Sequence, residues 1–341
     1  MVHAFPVIKL DYIEAYIRLP AATRRWHLGL AFLFLVILVA GSEILRRTAG
    51  VEPAPGVPYM SLVDDRLEVI YAGSSHVGYG IDPRLYSMNG MNVTAGALNY
   101  EGIEIVLRRY LDRAPNLKIL VLEAGIVPLR VDTMARLDGD YRSLYRLGLT
   151  TFDLPLGPYE KVIQWLRESR VLYPVYFMDR WSPSLLVWGT RPLGGEGEGD
   201  ADTRGFTPLE RTISTENDGA VVVEIHRLDH LRADHATRNL PALLRILDMA
   251  EARRLPVVLL RLPHHRTYVE NRPEEWERQF QDMMDHAIRQ TSPELLTVLD
   301  WEQHPAFLDE HFADGDHLNV RGVTLLRDLL DPFWGRLKTI D

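Results

Sequence analysis

The chain has 341 residues, a formal net charge of −9 and no cysteine. The missing cysteines exclude disulfides, thiolate metal sites and cysteine nucleophiles. The acidic balance, with no long basic run, disfavours nucleic-acid binding, which draws on clustered Lys and Arg.

Residues 1–25 are expected as a cytoplasmic N-terminal segment. Trp26–Leu45 follows as an apolar stretch of 20 residues, with no charge from Leu28 to Ser42 and only Glu43 near its far end. A helix of that length spans about 30 Å, the hydrocarbon thickness of a bilayer. Lys9, Arg18, Arg24 and Arg25 precede it, against Arg46 and Arg47 after it, which predicts an inner-membrane anchor with the N-terminus inside. A cleaved signal peptide is the rival reading, and the leader of about 25 residues is long for one. Pro53, Pro55, Gly56 and Pro58 mark residues 46–65 as a linker, and residues 66–341 form the extracytoplasmic domain.

Within that domain strand and helix signals alternate. Leu67–Ala72, Met91–Ala95, Lys118–Glu123, Pro256–Leu262 and Leu295–Asp300 are expected strands. Gly102–Ala114, Asp140–Gly148, Pro158–Arg170, Leu240–Arg254, Pro273–Gln290 and Val320–Leu337 carry helical signals. The pattern predicts an α/β fold, a three-layer sandwich around a mostly parallel sheet. Tyr173–Leu228 interrupts it, and the polar Gly-rich run near residues 190–205 is expected as a flexible insertion.

Two motifs carry chemistry. Gly73-Ser74-Ser75 ends the first strand, where α/β sheets open their binding crevice. Far downstream, Asp314-Gly315-Asp316-His317 offers an acid and a histidine three residues apart. A serine needs a positioned imidazole to take its proton, and the imidazole needs an acid to orient it. Asp316, next to His317, is expected to point elsewhere, and Asn319 is placed to cap the last helix.

Gly73-Ser74-Ser75 resembles the Gly-Asp-Ser motif of the SGNH (GDSL-type) hydrolase superfamily, and Asp314–His317 resembles its Asp-x-x-His motif. The longer stretches around both look like the membrane-anchored branch found with bacterial polysaccharide and cell-wall acylation systems. The resemblance implies a Ser75 nucleophile, a His317 base and an Asp314 orienter. It also implies an oxyanion hole from the backbone N–H groups of Ser75 and Gly96. The asparagine usual after the central strand is missing from Leu122–Val127, so Asn99 is the available substitute. Ser74, His76, His264 and His265 are expected to line the pocket. The implied function is serine-dependent acyl transfer to an envelope glycan or exopolysaccharide, or ester hydrolysis. The implied partners are an acyl donor, a glycan acceptor and a multi-pass membrane acyltransferase, and neither cofactor nor metal is called for. The alternative is a non-catalytic glycan-binding or scaffold subunit. His226, His230 and His235 are read as a solvated polar segment rather than a metal site, and Trp165, Trp181 and Trp188 as core, membrane contact or a sugar platform.

Overall fold

The computed structural model describes residues 62–131 without Ala97 and residues 203–337 without 230–232, plus Leu147 and scattered helical positions between Thr23 and Phe34. The chain divides into two units, Met1–Pro55 with Val162–Thr190, and Gly56–Lys161 with Arg191–Asp341. In the first, Trp26, Leu30, Leu33 and Phe34 are helical and exposed. Most of the expected anchor lies outside the described residues, as do the predicted helices at 140–148 and 158–170 and the three tryptophans. Among the described residues no helix is long and apolar enough to cross a membrane.

The second unit is built on five parallel strands: β1 (Val69–Gly73), β2 (Gly90–Thr94), β3 (Ile119–Glu123), β4 (Val257–Arg261) and β5 (Leu296–Asp300). Their order across the sheet is β2-β1-β3-β4-β5. β1 to β4 are buried along their whole length, and β1, β3 and β4 are correspondingly nearly unbroken apolar runs, while β2 carries the buried polar Asn92 and Thr94. Alternate residues face opposite cores. Ile70, Leu120 and Leu259 pack on one side against α2 (Tyr100–Tyr110), α5 (Ala233–Ala252) and α7 (Glu274–Gln290). Tyr71, Val121 and Leu260 pack on the other against α1 (Ser75–Gly80) and α8 (Val320–Leu337), where Leu326, Leu330 and Trp334 are fully buried. The unit is therefore a three-layer α/β/α arrangement.

Each expected strand falls within two residues of its observed place. Among the described residues four helices were not anticipated: α1, α3 (Ile126–Arg130), α4 (Gly219–Asp229) and α6 (Arg266–Asn271). Helices α1, α3 and α6 are too short to show sustained periodicity, at six, five and six residues. Helix α4 corrects the later part of the expected interruption, which is structured from Thr203 onward and tied to the domain by Thr207 N to Gly78 O at 2.9 Å and Ile213 N to Phe312 O at 2.9 Å. Most of the expected flexible insertion near residues 190–205 lies outside the described residues.

β1 has β2 on one side and β3 on the other, so successive connections leave it in opposite directions. That reversal falls at the carboxyl ends of β1 and β3, the usual binding position in such sheets. The parallel register sets Gly73 beside Thr94 and Ala72 beside Leu122, bringing three strand ends to one level.

Candidate active site

Ser75 is the first residue of α1 and follows β1 after a single residue, Ser74. Ser74 caps the helix, its side chain accepting from His76 N. Its own N–H donates to Glu123 Oε2 at 2.6 Å, and its hydroxyl donates to Glu123 Oε1 at 3.0 Å. Gly73 makes room for this: a Cβ there would lie 2.5 Å from Glu123 Oε2 and 2.5 Å from Val77 Cγ2. From β2, Asn92 Nδ2 donates to Ile81 O at 2.7 Å and holds the far end of α1. The strand-to-serine turn is thus fixed by buried polar groups from both neighbouring strands.

The second motif lies in a tight hairpin. Ala313 N donates to His317 O at 2.9 Å, and Phe312 bridges Leu318. Asp314 Oδ1 accepts from Asp316 N at 3.2 Å and His317 N at 2.9 Å, so the carboxylate folds its own turn. Backbone contacts clamp the outside, with Gly315 N donating to Asn217 O at 3.0 Å and His265 N to Gly315 O at 3.1 Å. Asn319 Oδ1 then accepts from Arg321 N at 3.0 Å and Gly322 N at 3.2 Å at the start of α8, the capping place expected of it.

The two motifs meet. Ser75 Oγ lies 2.9 Å from His317 Nε2, and Asp314 Oδ1 lies 2.9 Å from His317 Nδ1. Arg211, half exposed, donates to Asp314 Oδ2 at 2.7 Å. The side chain of His317 keeps 17% of its surface exposed, so the chain of contacts opens to solvent at the serine end.

Asp316 does not point away. Its Oδ1 lies 3.0 Å from His317 Nδ1, beside that of Asp314. Neighbouring side chains diverge on a regular helix, but this backbone reverses between them and turns both carboxylates inward. Asp316 Oδ2 lies 3.1 Å from His76 Nε2 and 3.4 Å from His226 Nε2. His76 Nδ1 lies 2.8 Å from Glu123 Oε1. Ser74 and His76 are accordingly buried behind the serine and do not line an open pocket.

Charge follows this geometry. Burial alone would lower the His76 imidazole, but Glu123 and Asp316 outweigh it and raise it to about 9. Burial likewise opposes the charge on His317, while Asp316 and Asp314 raise it to about 10. Against burial, the charge of His317 holds Asp316 well below the usual carboxylate range. Burial pushes His226 down to about 4.

The other candidates take separate places. His264 stacks on Tyr268 with ring centroids 4.8 Å apart and meets His76 edge-on at 5.1 Å. His265 caps α6 through Thr267 N and faces Asp309, on the far side of the hairpin clamp. Gly96 is exposed in the loop after β2, with open space where its Cβ would be. Asn99 is fully buried: its Oδ1 accepts from Gly102 N at 2.9 Å as the cap of α2, and its Nδ2 donates to Val131 O at 3.3 Å. That side chain is held by the helix it starts and is not presented to the crevice. His226, read from sequence as solvated, is partly buried against Tyr268 and Asp316, while His235 Nδ1 faces Arg130 O. Sequence reasoning passed over Glu123, Gly219 and Asn217, and set Asp316 aside. A charged residue closing the otherwise apolar run Ile119–Leu122 was the one available signal.

Among the described residues the nearest approach to a metal-ligand set is His76, Asp316 and His317, whose donor atoms lie within 4.8 Å of one another. Both ring nitrogens of both histidines already face carboxylates or Ser75, which makes the cluster a hydrogen-bonded network.

No protein-family model matches the chain, and no curated protein matches it. Among solved structures, one described as "The structure of a putative platelet activating factor from Streptococcus pneumonia" is similar over 91% of this chain and 98% of that one, at 11% identity and a TM-score of 0.34. A likeness of that size carries no argument about this chain.

Proposed function

We propose that the protein is a membrane-anchored, SGNH-like serine acyltransferase or esterase whose nucleophile is Ser75. The observation that carries the reading is the contact chain from Ser75 Oγ to His317 Nε2 and from His317 Nδ1 to Asp314 Oδ1, each link 2.9 Å, at the crevice end of β1. Nucleophile, base and orienter are then in hydrogen-bond order. The strand order 2-1-3-4-5 supports a flavodoxin-like layout, with which the SGNH resemblance agrees.

In this reading His317 in its neutral form takes the Ser75 proton as Oγ bonds to the acyl carbonyl carbon. The tetrahedral oxyanion accepts from the backbone N–H groups of Ser75 and Gly96. Collapse expels the donor's leaving group, which takes the proton from His317 and leaves an acyl-Ser75 ester. An acceptor hydroxyl then gives its proton to His317 and attacks that ester. His317 returns the proton to Ser75 Oγ as the new ester leaves. A glycan hydroxyl as acceptor makes the protein an O-acyltransferase, and water makes it an esterase.

The apolar run at Trp26–Leu45 supports an anchor with the domain outside the cytoplasm, near membrane-borne donor and partner. A multi-pass acyl exporter is the partner this implies. Incubating full-length protein with a fluorophosphonate probe, beside Ser75→Ala, tests the assignment. Labelling of the wild type alone supports it, and labelling that persists in Ser75→Ala removes Ser75 as nucleophile. Product analysis with acetyl ester and added oligosaccharide separates transfer from hydrolysis. A wild type inert to every probe favours the second reading, a glycan-binding or scaffold subunit, which the missing asparagine after β3 also favours.

A further inference from the structure

Neither His76 nor Asp316 takes part in the proton transfers above, yet both are buried directly behind the proposed base. An ionised carboxylate only accepts hydrogen bonds. His76 has Glu123 Oε1 at 2.8 Å from one ring nitrogen and Asp316 Oδ2 at 3.1 Å from the other, so both nitrogens must carry protons and the ring is an imidazolium. That cation offsets two carboxylates that are 2–4% exposed. It also holds Asp316 by one oxygen, leaving Oδ1 aimed at His317 Nδ1 at 3.0 Å.

From this geometry we infer that His76 is a positioning residue acting through Asp316, and that His317 is held by two acids in a fork. The outer acid, Asp314, is tied to Arg211 at the half-exposed surface. The inner acid, Asp316, is tied to His76 and through it to Glu123 at the end of β3. The inference rests on reading Ser75 and His317 as nucleophile and base. The fork links the strand that presents the serine to the hairpin that presents the histidine by a second route, independent of the Ser75–His317 contact. Among the described residues the other groups facing this cluster are Tyr79, whose ring lies 5.0 Å from that of His317, His226 from α4, His264 with Glu302 behind His76, and Tyr268, which meets both His226 and His264. Burial leaves His226 and His264 favouring the neutral form, so they do not replace the His76 charge.

The test uses full-length protein carrying nitrogen-15 histidine, with the His317 and His76 signals assigned from His317→Gln and His76→Gln and followed by NMR through a pH titration. Probe labelling of Ser75 is measured on the same samples and divided by the neutral fraction of His317. Asp316→Asn is expected to lower the titration midpoints of both His317 and His76 by about one to three pH units, the usual effect of removing an adjacent opposite charge. His76→Gln is expected to raise the His317 midpoint and to slow corrected labelling roughly tenfold, a middling coupling for one hydrogen-bond network. The double variant is expected to label no more slowly than Asp316→Asn alone. If His76→Gln does not fold, Asp316→Asn decides: either midpoint unmoved overturns the inference. A folded His76→Gln with wild-type midpoint and wild-type corrected labelling overturns it equally. Wild-type protein that takes no probe while the midpoints shift as stated removes the enzyme reading and leaves the coupling standing.

Discussion

Gly315 and Gly219 cross backbone to backbone, so that a Cβ on Gly315 would lie 2.4 Å from Gly219 Cα and 2.7 Å from its nitrogen. A Cβ on Gly219 would in turn lie 1.8 Å from Tyr268 N. Three separate segments therefore meet at the hairpin that carries Asp314 and His317, with no side chain between them that can give way.

Gly315→Ala is expected to displace that hairpin. A shift of about 1 Å in reacting groups costs on the order of a hundredfold in rate. Overpacking of this kind costs about 1–3 kcal/mol of stability. Probe labelling and urea unfolding check the two effects, and near-wild-type values for both would show that the crossing relaxes freely.

Glu123→Gln removes the anion that accepts from Ser74 and faces His76, leaving a buried imidazolium with one carboxylate. Breaking one partner of a buried pair costs about 3–5 kcal/mol. The variant is expected to unfold at clearly lower urea concentration and to lose labelling, because the Ser74 cap and the Ser75 position depend on the same carboxylate.

Asn99→Ala separates a cap from an oxyanion donor. Loss of the α2 cap is expected to lower stability by about 1 kcal/mol. The labelling rate of the folded fraction should stay near wild type, and a hundredfold fall would return Asn99 to the site.

The raised value of His317 makes the resting base protonated at neutral pH. Labelling of Ser75 is therefore expected to climb steadily from pH 7 toward pH 10, as the neutral form becomes populated. A rate constant that is flat over that range would show that the acids do not hold the proton on His317.

Stability has its own pH dependence. The His76 contribution is fully present below its unfolded value near 6.5 and is lost as pH rises through about 9. The lowered carboxyls of Asp316 and Glu123 contribute above their unfolded values and lose that contribution as pH falls below the ordinary carboxylate range. Thermal unfolding across pH should show stability falling as pH rises from about 6.5 through 9, and falling again below the ordinary carboxylate range. His76→Gln should flatten the alkaline side.

Much of the fold was legible because it rests on local pattern. Five strand signals became five strands, and the 18-residue stretch Val320–Leu337 became α8 with the predicted ends. The short helices were not legible, since Ile126–Arg130 and Arg266–Asn271 are stabilised by where the chain is packed rather than by their own periodicity. Within the site, residue type and order were enough to bring Ser75, His317 and Asp314 under suspicion, because nucleophile chemistry needs those groups.

The sequence by itself determined a cysteine-free α/β chain with an apolar N-terminal run, a serine at a strand end and an Asp-x-x-His before the last helix. Only the tertiary structure decided what surrounds them. Asp316 turned inward because a hairpin reverses the backbone, a fact invisible to spacing. Glu123 became the partner of Ser74 and His76 because parallel register sets the end of β3 beside the end of β1. Asn99 was withdrawn from the crevice because a helix start took its oxygen. Linear order records which groups are present, while the contacts that join His76 to Glu123 and Ser75 to His317 form between segments 47 and 242 residues apart.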